Sequence, residues 1–228
     1  LGIALEGAKV IVADILDGDE VVEKIRAQGG EAEFIRTDIT DDESCEAMAD
    51  LARSAFGGID VLVNNAALFG TLPLTPLDDI TLQEWDRVLQ VNTRGVWQCV
   101  KAVMPSMIER GGGSIVNVAT NRVFKGFPNL LHYDASKGAV LSMTKAMAAE
   151  LGDSNIRVNA VAPGLTMSEN VLAKEGIGDR IHSIINGRAL KREQRPEDLI
   201  GPVIFLASEL SAFVSGQSLV VDGGGIMR

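Results

Sequence analysis

Along the chain, short runs rich in Val and Ile alternate with longer stretches whose apolar residues recur at helical spacing, the rhythm of βαβ units around a parallel sheet. The run KVIVAD (9–14) predicts a buried strand, DGDEVVEKIRAQ (17–28) a helix stopped by Gly29 and Gly30, and AEFIR (32–36) a second strand. Thr40 with Glu43 has the spacing of a capping box opening a helix through about Phe56, and IDVLVNN (59–65) follows as a strand. Thr81 with Glu84 repeats the box. There the apolar positions Trp85, Val88, Leu89, Val96 and Val100 predict one long helix to about Arg110, closed by three glycines. SIVNVAT (114–120) is the next strand, 133–151 the next helix and IRVNAVAP (156–163) the strand after it. Residues 164–187 have no clear period, Pro196 suits the first turn of a helix through about Ser208, and SLVVDGG (218–224) closes the sheet.

No repeat, low-complexity tract or linker divides the 228 residues, so one doubly wound α/β domain with helices on both faces is expected over 1–228. A chain of this length buries roughly 70–75% of its unfolded surface and needs no disulfide framework. Cys45 and Cys99 are far apart in sequence with no metal-ligand spacing, and are expected to be packed thiols in a reducing compartment. The formal charge of −10 repels phosphate backbones and anionic bilayers, which argues against nucleic-acid and membrane-surface partners. With no apolar run of spanning length, a cytoplasmic location is expected.

In an open parallel sheet, ligands sit beyond the carboxyl ends of the strands, and there the chain places Asp14, Asp38, Asn64, Asn65, Ala66, Thr120, Pro163 and Gly164. Each is also an ordinary turn residue. Asp14 says more: an acidic residue ending this strand of a dinucleotide fold accepts both hydroxyls of the adenine ribose and repels a 2′-phosphate. With no Lys or Arg at 15 or 16, NAD is expected over NADP. The glycine-rich phosphate loop and the strand before it, which lies mid-sheet in this architecture, are expected upstream of Leu1.

Tyr133, the single tyrosine, and Lys137 lie four apart on a predicted helix and share a face. A phenol is a poor base at neutral pH, yet an ammonium ~5 Å away at an effective dielectric near 20 is worth about 3 kcal/mol, roughly two pKa units of acidification. So tuned, Tyr133 would exchange a proton with an alcohol or carbonyl while Thr120 holds the substrate oxygen. The two histidines, His132 and His182, are isolated, so no metal site is expected; His132 reads either as a pocket residue beside Tyr133 or as a plain surface position.

The segments NNAA, QVNTRG, NVAT, YDASK, VNAVAPG and GQSLVVDGG, in this order and spacing over essentially the whole chain, resemble the short-chain dehydrogenase/reductase family. The resemblance implies a Rossmann-type sheet and an NAD-dependent oxidoreductase interconverting a secondary alcohol and a ketone or aldehyde. It makes Tyr133 the acid/base, Lys137 the residue that lowers its pKa and binds the nicotinamide ribose, and Asn92 the anchor of a relay water. It assigns Asn64 and Ala66 to the cofactor's ribose side, Asp38 and Ile39 to adenine, and Pro163, Gly164 and Thr166 to the nicotinamide. Asn117 reads as structural. Thr120 stands where the family usually has serine, and Ala67 where it prefers glycine, with a strain cost of order 1 kcal/mol if that position has φ > 0. These departures, with the missing glycine loop, keep a cofactor-binding protein of impaired catalysis as an alternative; an NADPH-dependent 3-oxoacyl-carrier-protein reductase is another. Substrate identity is expected in 68–80, 121–131 and 165–190, where Phe69, Val123, Phe124, Phe127, Leu130 and Leu131 suggest an apolar pocket for a cyclic or aromatic alcohol and 164 onward a closing lid. A homotetramer is implied through the two long helices and the C-terminal VVDGGGIMR.

Overall fold

A computed structural model describes residues 1–172 and 178–227. Its strands are β1 (Val10–Asp14), β2 (Ala32–Arg36), β3 (Val61–Asn64), β4 (Gly113–Val118), β5 (Ile156–Pro163) and β6 (Ser218–Val221). Its α-helices are α1 (Gly2–Leu5), α2 (Asp19–Ala27), α3 (Asp42–Phe56), α4 (Leu82–Leu89), α5 (Val96–Glu109), α6 (Arg122–Lys125), α7 (Leu131–Leu151), α8 (Glu169–Leu172), α9 (Gly178–Asn186) and α10 (Ile200–Ala207).

Every strand pairing is parallel, in two ladders: β1 with β2, and β3-β4-β5-β6 in that order. β1 and β3, between which the expected central strand would run, are not hydrogen-bonded to each other. Both ladders nevertheless share one layered core. Ile11 and Ala13 of β1 join Ile115 of β4 and Val158 of β5 against Cys45, Met48 and Ala52 of α3 and Cys99, Val103 and Met107 of α5. On the opposite face Val10 and Val12 meet Val22 and Ile25 of α2, while Val116 and Val161 meet Leu206 of α10. The alternation of neighbouring residues between faces is what a strand covered on both sides requires, and it makes the sheet doubly wound and Rossmann-like.

The two cysteines, 54 positions apart, meet in the first of these clusters with their sulfurs 4.0 Å apart, fully buried as thiols. Gly57 closes α3 in the left-handed region (φ 82), with its N–H on the Arg53 carbonyl. The start of α3 differs from the expected capping box. Asp38 Oδ1 captures both the N–H and the hydroxyl of Thr40 at 2.8 Å, so the helix begins one residue later than that box implies, with Asp41 as the cap residue. The Thr81 box holds on its hydroxyl side, the Glu84 N–H reaching Thr81 Oγ1 at 3.1 Å.

The long helix expected over about 82–110 runs unbroken from Leu82 to Glu109, with a π turn at Gln90–Gly95 inside it. At its end a Cβ on Gly95 would lie 2.6 Å from the Ile39 side chain and 3.1 Å from its carbonyl, so only glycine lets the turn approach that loop. The helix expected from Tyr133 begins at Leu131, and the Pro196 helix opens as a 3₁₀ turn, Pro196–Leu199, before α10. The non-periodic stretch 164–187 contains α8 and α9; positions 173–177 of the expected lid lie outside the described residues. No helix among the described residues is long and apolar enough to cross a membrane.

Candidate active site

The carboxyl end of β4, the adjoining ends of β3 and β5 and the first two turns of α7 bring the chemistry together. Tyr133 is 5% exposed, its ring 4.8 Å from that of Phe69 and packed with Leu72, Val88 and Leu130. Its hydroxyl faces Thr120, a buried residue at the end of β4 whose Oγ1 accepts the Arg122 N–H at 3.3 Å. Lys137, 2% exposed, donates from Nζ to the Val118 carbonyl at 2.7 Å. Between the two on the same helix, the Ser136 hydroxyl donates to the Tyr133 carbonyl at 2.7 Å and accepts from Asn92 Nδ2 at 3.1 Å.

Asn92 lies wholly buried in the π turn. Its Oδ1 takes the Leu68 N–H at 2.7 Å and its Nδ2 reaches the Leu68 carbonyl at 3.1 Å. The side-chain amide is thus committed to stitching the loop after β3 to the turn that carries Tyr133.

Asn64, opposite Asn117 in register, donates to its Oδ1 at 2.9 Å, and Asn117 Nδ2 donates to Thr144 Oγ1 at the same distance. This buried chain ties β3, β4 and α7 under the site and agrees with the structural reading of Asn117. Replacing Asn117 by Ala leaves the buried Asn64 amide without its acceptor, while Thr144 Oγ1 keeps its bond to the Val140 carbonyl. We expect a loss of about 2 kcal/mol in urea unfolding, two lost hydrogen bonds at about 1 kcal/mol each.

Burial, not the neighbouring ammonium, governs Tyr133 in this structure. Desolvation of the phenolate pushes its pKa well above the ordinary tyrosine range, against smaller lowering effects from the Thr120 hydroxyl and the Arg122 charge. The expected acidification by Lys137 is therefore not found here. The ammonium is itself starved of water, its pKa pushed down by burial to about 8.

The remaining positions divide. Pro163, Gly164 and Thr166 form a half-buried turn beyond β5; the Gly164 N–H reaches the Val221 carbonyl at 2.9 Å and Thr166 Oγ1 the Gly164 carbonyl at 3.1 Å. Arg188, buried and reaching the Leu165 carbonyl at 2.8 Å, and buried Gln194 brace that turn, and neither was singled out by the sequence. Ala66 is half-buried after β3, and exposed Ala67 has no left-handed backbone, so the strain considered for it does not arise. Asp14 ends β1, and Asp38 and Ile39 lie in the loop after β2. Asp14 is exposed, with one carboxylate oxygen on the Leu16 N–H at 2.9 Å, and Asp38 spends its Oδ1 on Thr40.

Directly across the ladder from Asp14 stands Arg36, its guanidinium on the Ile15 carbonyl. Inspection of positions 15 and 16 could not find this cation, because strand register places it. His132 corrects the surface reading: it is fully buried against α4, with Nε2 3.3 Å from the Glu84 carboxylate. The apolar residues expected to line a pocket separate into Phe69 and Leu130 around Tyr133, Val123 and Phe124 against the cluster of Val96, Ala119, Val140 and Leu141, and exposed Phe127 and Leu131.

The donor set suits a dinucleotide: an exposed carboxylate at one strand end, and a buried ammonium of which the Val118 carbonyl uses one of three hydrogens. The tyrosine and lysine lie over the carboxyl ends of a parallel sheet, where ligands of such α/β folds sit. A family model described as "Enoyl-(Acyl carrier protein) reductase" matches residues 2–225, and the chain belongs to the short-chain dehydrogenase/reductase family. It is 37% identical over 224 residues to the cyclopentanol dehydrogenase of Comamonas sp., covering 97% of this chain and 88% of that one. It is 39% identical over 220 residues to the 3-alpha-(or 20-beta)-hydroxysteroid dehydrogenase of Mycobacterium bovis, covering 96% and 80%. A crystal structure from Sinorhizobium meliloti 1021, described as a short-chain alcohol dehydrogenase, superposes with a TM-score of 0.90 at 30% identity over 98% of this chain and 88% of that one.

Proposed function

We propose that the protein oxidises a cyclic secondary alcohol to the ketone, and reduces the ketone, with NAD. The observation carrying this is that buried Tyr133 faces buried Thr120 at the end of β4, with the Lys137 ammonium one helical turn along. When bound, NAD supplies the hydride acceptor. Thr120 and Tyr133 share the substrate oxygen, and Tyr133 exchanges its proton with it. A phenol kept protonated by burial is set to donate to a carbonyl oxygen; in the oxidative direction positive charge nearby helps it to accept. Lys137 binds the nicotinamide ribose, the 163–166 turn the nicotinamide, Asn64 and Ala66 the other ribose side, and Asp38 with Ile39 the adenine. The cyclic substrate class is supported by the apolar wall around Tyr133 and by the relatives that act on cyclopentanol and hydroxysteroids. NAD reduction with a panel of cyclic alcohols tests the reading; tight NAD binding without turnover of any of them would instead favour a cofactor-binding protein. The reading extends to a cytoplasmic homotetramer, checked by sedimentation.

Asp14 sets the cofactor preference in this reading, by accepting the ribose hydroxyls and repelling a 2′-phosphate. Arg36 beside it favours a second reading, an NADPH-linked reductase of carrier-protein thioesters. Asp14→Ser leaves Arg36 as the dominant charge. The ratio of kcat/KM values is expected to move toward NADP by about tenfold or more, some 1.4 kcal/mol. A parent enzyme already preferring NADPH would revive the second reading, and turnover of a carrier-protein thioester would decide it.

A further inference from the structure

Between Thr120 and Tyr133 the chain makes a detour whose fastening is unusual. Arg122, two residues past Thr120, sends its guanidinium as a fork onto the carboxylate of Asp134, with Nε to Oδ1 at 2.7 Å and Nη2 to Oδ2 at 2.9 Å. The two side chains are only 15% and 17% exposed. The same Nη2 also reaches the carbonyls of Phe127 at 3.3 Å and Pro128 at 3.5 Å. The guanidinium carbon lies 5.1 Å from the centre of the Phe127 ring, and Lys125 Nζ lies 5.7 Å from it. Asn129 sits in the left-handed region (φ 70), and its carbonyl accepts the Thr75 N–H at 2.9 Å, which joins the detour to the loop beyond β3.

Arg122 thus touches three things at once. Its main chain holds the Thr120 hydroxyl, its side chain holds the residue after Tyr133, and it carries the carbonyls and ring of the segment between. A planar fork on a carboxylate fixes both distance and orientation, which a lysine cannot do. Sheltered from water, it is far less weakened by solvent and salt than a surface pair.

We propose that Arg122 is a positioning residue that, through its fork on Asp134, locks the 123–130 segment to the first turns of α7 and thereby sets the substrate wall and the Thr120–Tyr133 alignment. The substrate part of this rests on the dehydrogenase reading above. The groups facing Tyr133 with opposite effects on its acidity are Arg122, which favours the phenolate, and Asp134, which opposes it. Lys137 is the remaining charge on the same helix face.

Arg122→Gln and Asp134→Asn each break the fork while removing opposite charges. Hydrogen exchange on the whole chain should show the 123–130 amides exchanging about tenfold faster in both variants, with the amides of β4 and β5 unchanged. Substrate KM should rise in both, and the pH profile of turnover should move upward in Arg122→Gln and downward in Asp134→Asn. Arg122→Lys, which keeps the charge, should leave the pH profile near the parent's while still loosening the segment. Unchanged exchange at 123–130, or an equal rise throughout the domain, would overturn the lock; pH profiles moving the same way would overturn the alignment of Tyr133. If the parent turned over no alcohol, the dehydrogenase reading would fail by itself, and the exchange result would still decide the lock.

Discussion

Tyr133→Phe is expected to lower kcat for alcohol oxidation by roughly 10²–10⁴-fold, the span that a positioned general acid or base contributes. The substitution is clean because the ring remains. Phenylalanine keeps the 4.8 Å contact with Phe69 and the packing with Leu72, Val88 and Leu130, and it gives up only the hydroxyl. Thr120 keeps the Arg122 N–H it accepts, so stability should change by no more than about 1 kcal/mol. NAD affinity, measured by fluorescence titration, should change little. A variant with unimpaired turnover would remove Tyr133 from the chemistry. One that lost NAD binding and turnover together would point to a binding role for the phenol.

The order of elements could be read from the sequence because each strand is short and β-branched and each helix is punctuated by glycine or a cap. The common face of Tyr133 and Lys137 could be read because four residues on a helix fix it. What could not be read depended on partners distant in the chain. Arg36 meets Asp14 only through the β1–β2 register, Arg122 meets Asp134 only because the detour folds back, and Cys45 meets Cys99 only where α3 packs on α5. The π turn at Gln90–Gly95 is invisible to periodicity, since the apolar positions on either side of it continue at helical spacing. The shift of the α3 start was a local competition that Asp38 won over the helix for Thr40.

The direction of the Tyr133 shift failed for a related reason. Coulomb's law at an assumed separation supplies the attraction of an ammonium but not the desolvation of the phenol. In the fold both groups are buried, and desolvation acts on each in the sense opposite to their mutual attraction. The pair is poorly solvated on both sides. A nicotinamide ribose placed against Lys137 would meet an ammonium with hydrogens to spare and few waters to displace.

That reading makes Lys137→Met the second large prediction, because it should separate function from stability. Activity should fall on the order of 10²–10³-fold, as when one preorganised donor is removed from a reacting centre. Stability should behave differently. The folded-state pKa of Lys137 is pushed down to about 8 from the ordinary 10.5, so between these values the unfolded chain binds more protons than the native one. Unfolding free energy then rises with pH across that window, and below it the buried ammonium costs the fold about 3 kcal/mol. Methionine carries no proton and has no such slope. The stability of wild type relative to the variant should therefore increase by about 2 kcal/mol from pH 7 to 9.5, measured by urea unfolding at several pH values. The range stops there because Tyr133, raised by burial, begins to act the opposite way above its ordinary value of 10.0. Loss of the 2.7 Å bond to the Val118 carbonyl offsets the relief of desolvation in absolute terms, so the slope is the observable. Parallel pH dependences in the two proteins would mean that Lys137 is hydrated in solution, and the ribose would then have to compete with water for its ammonium.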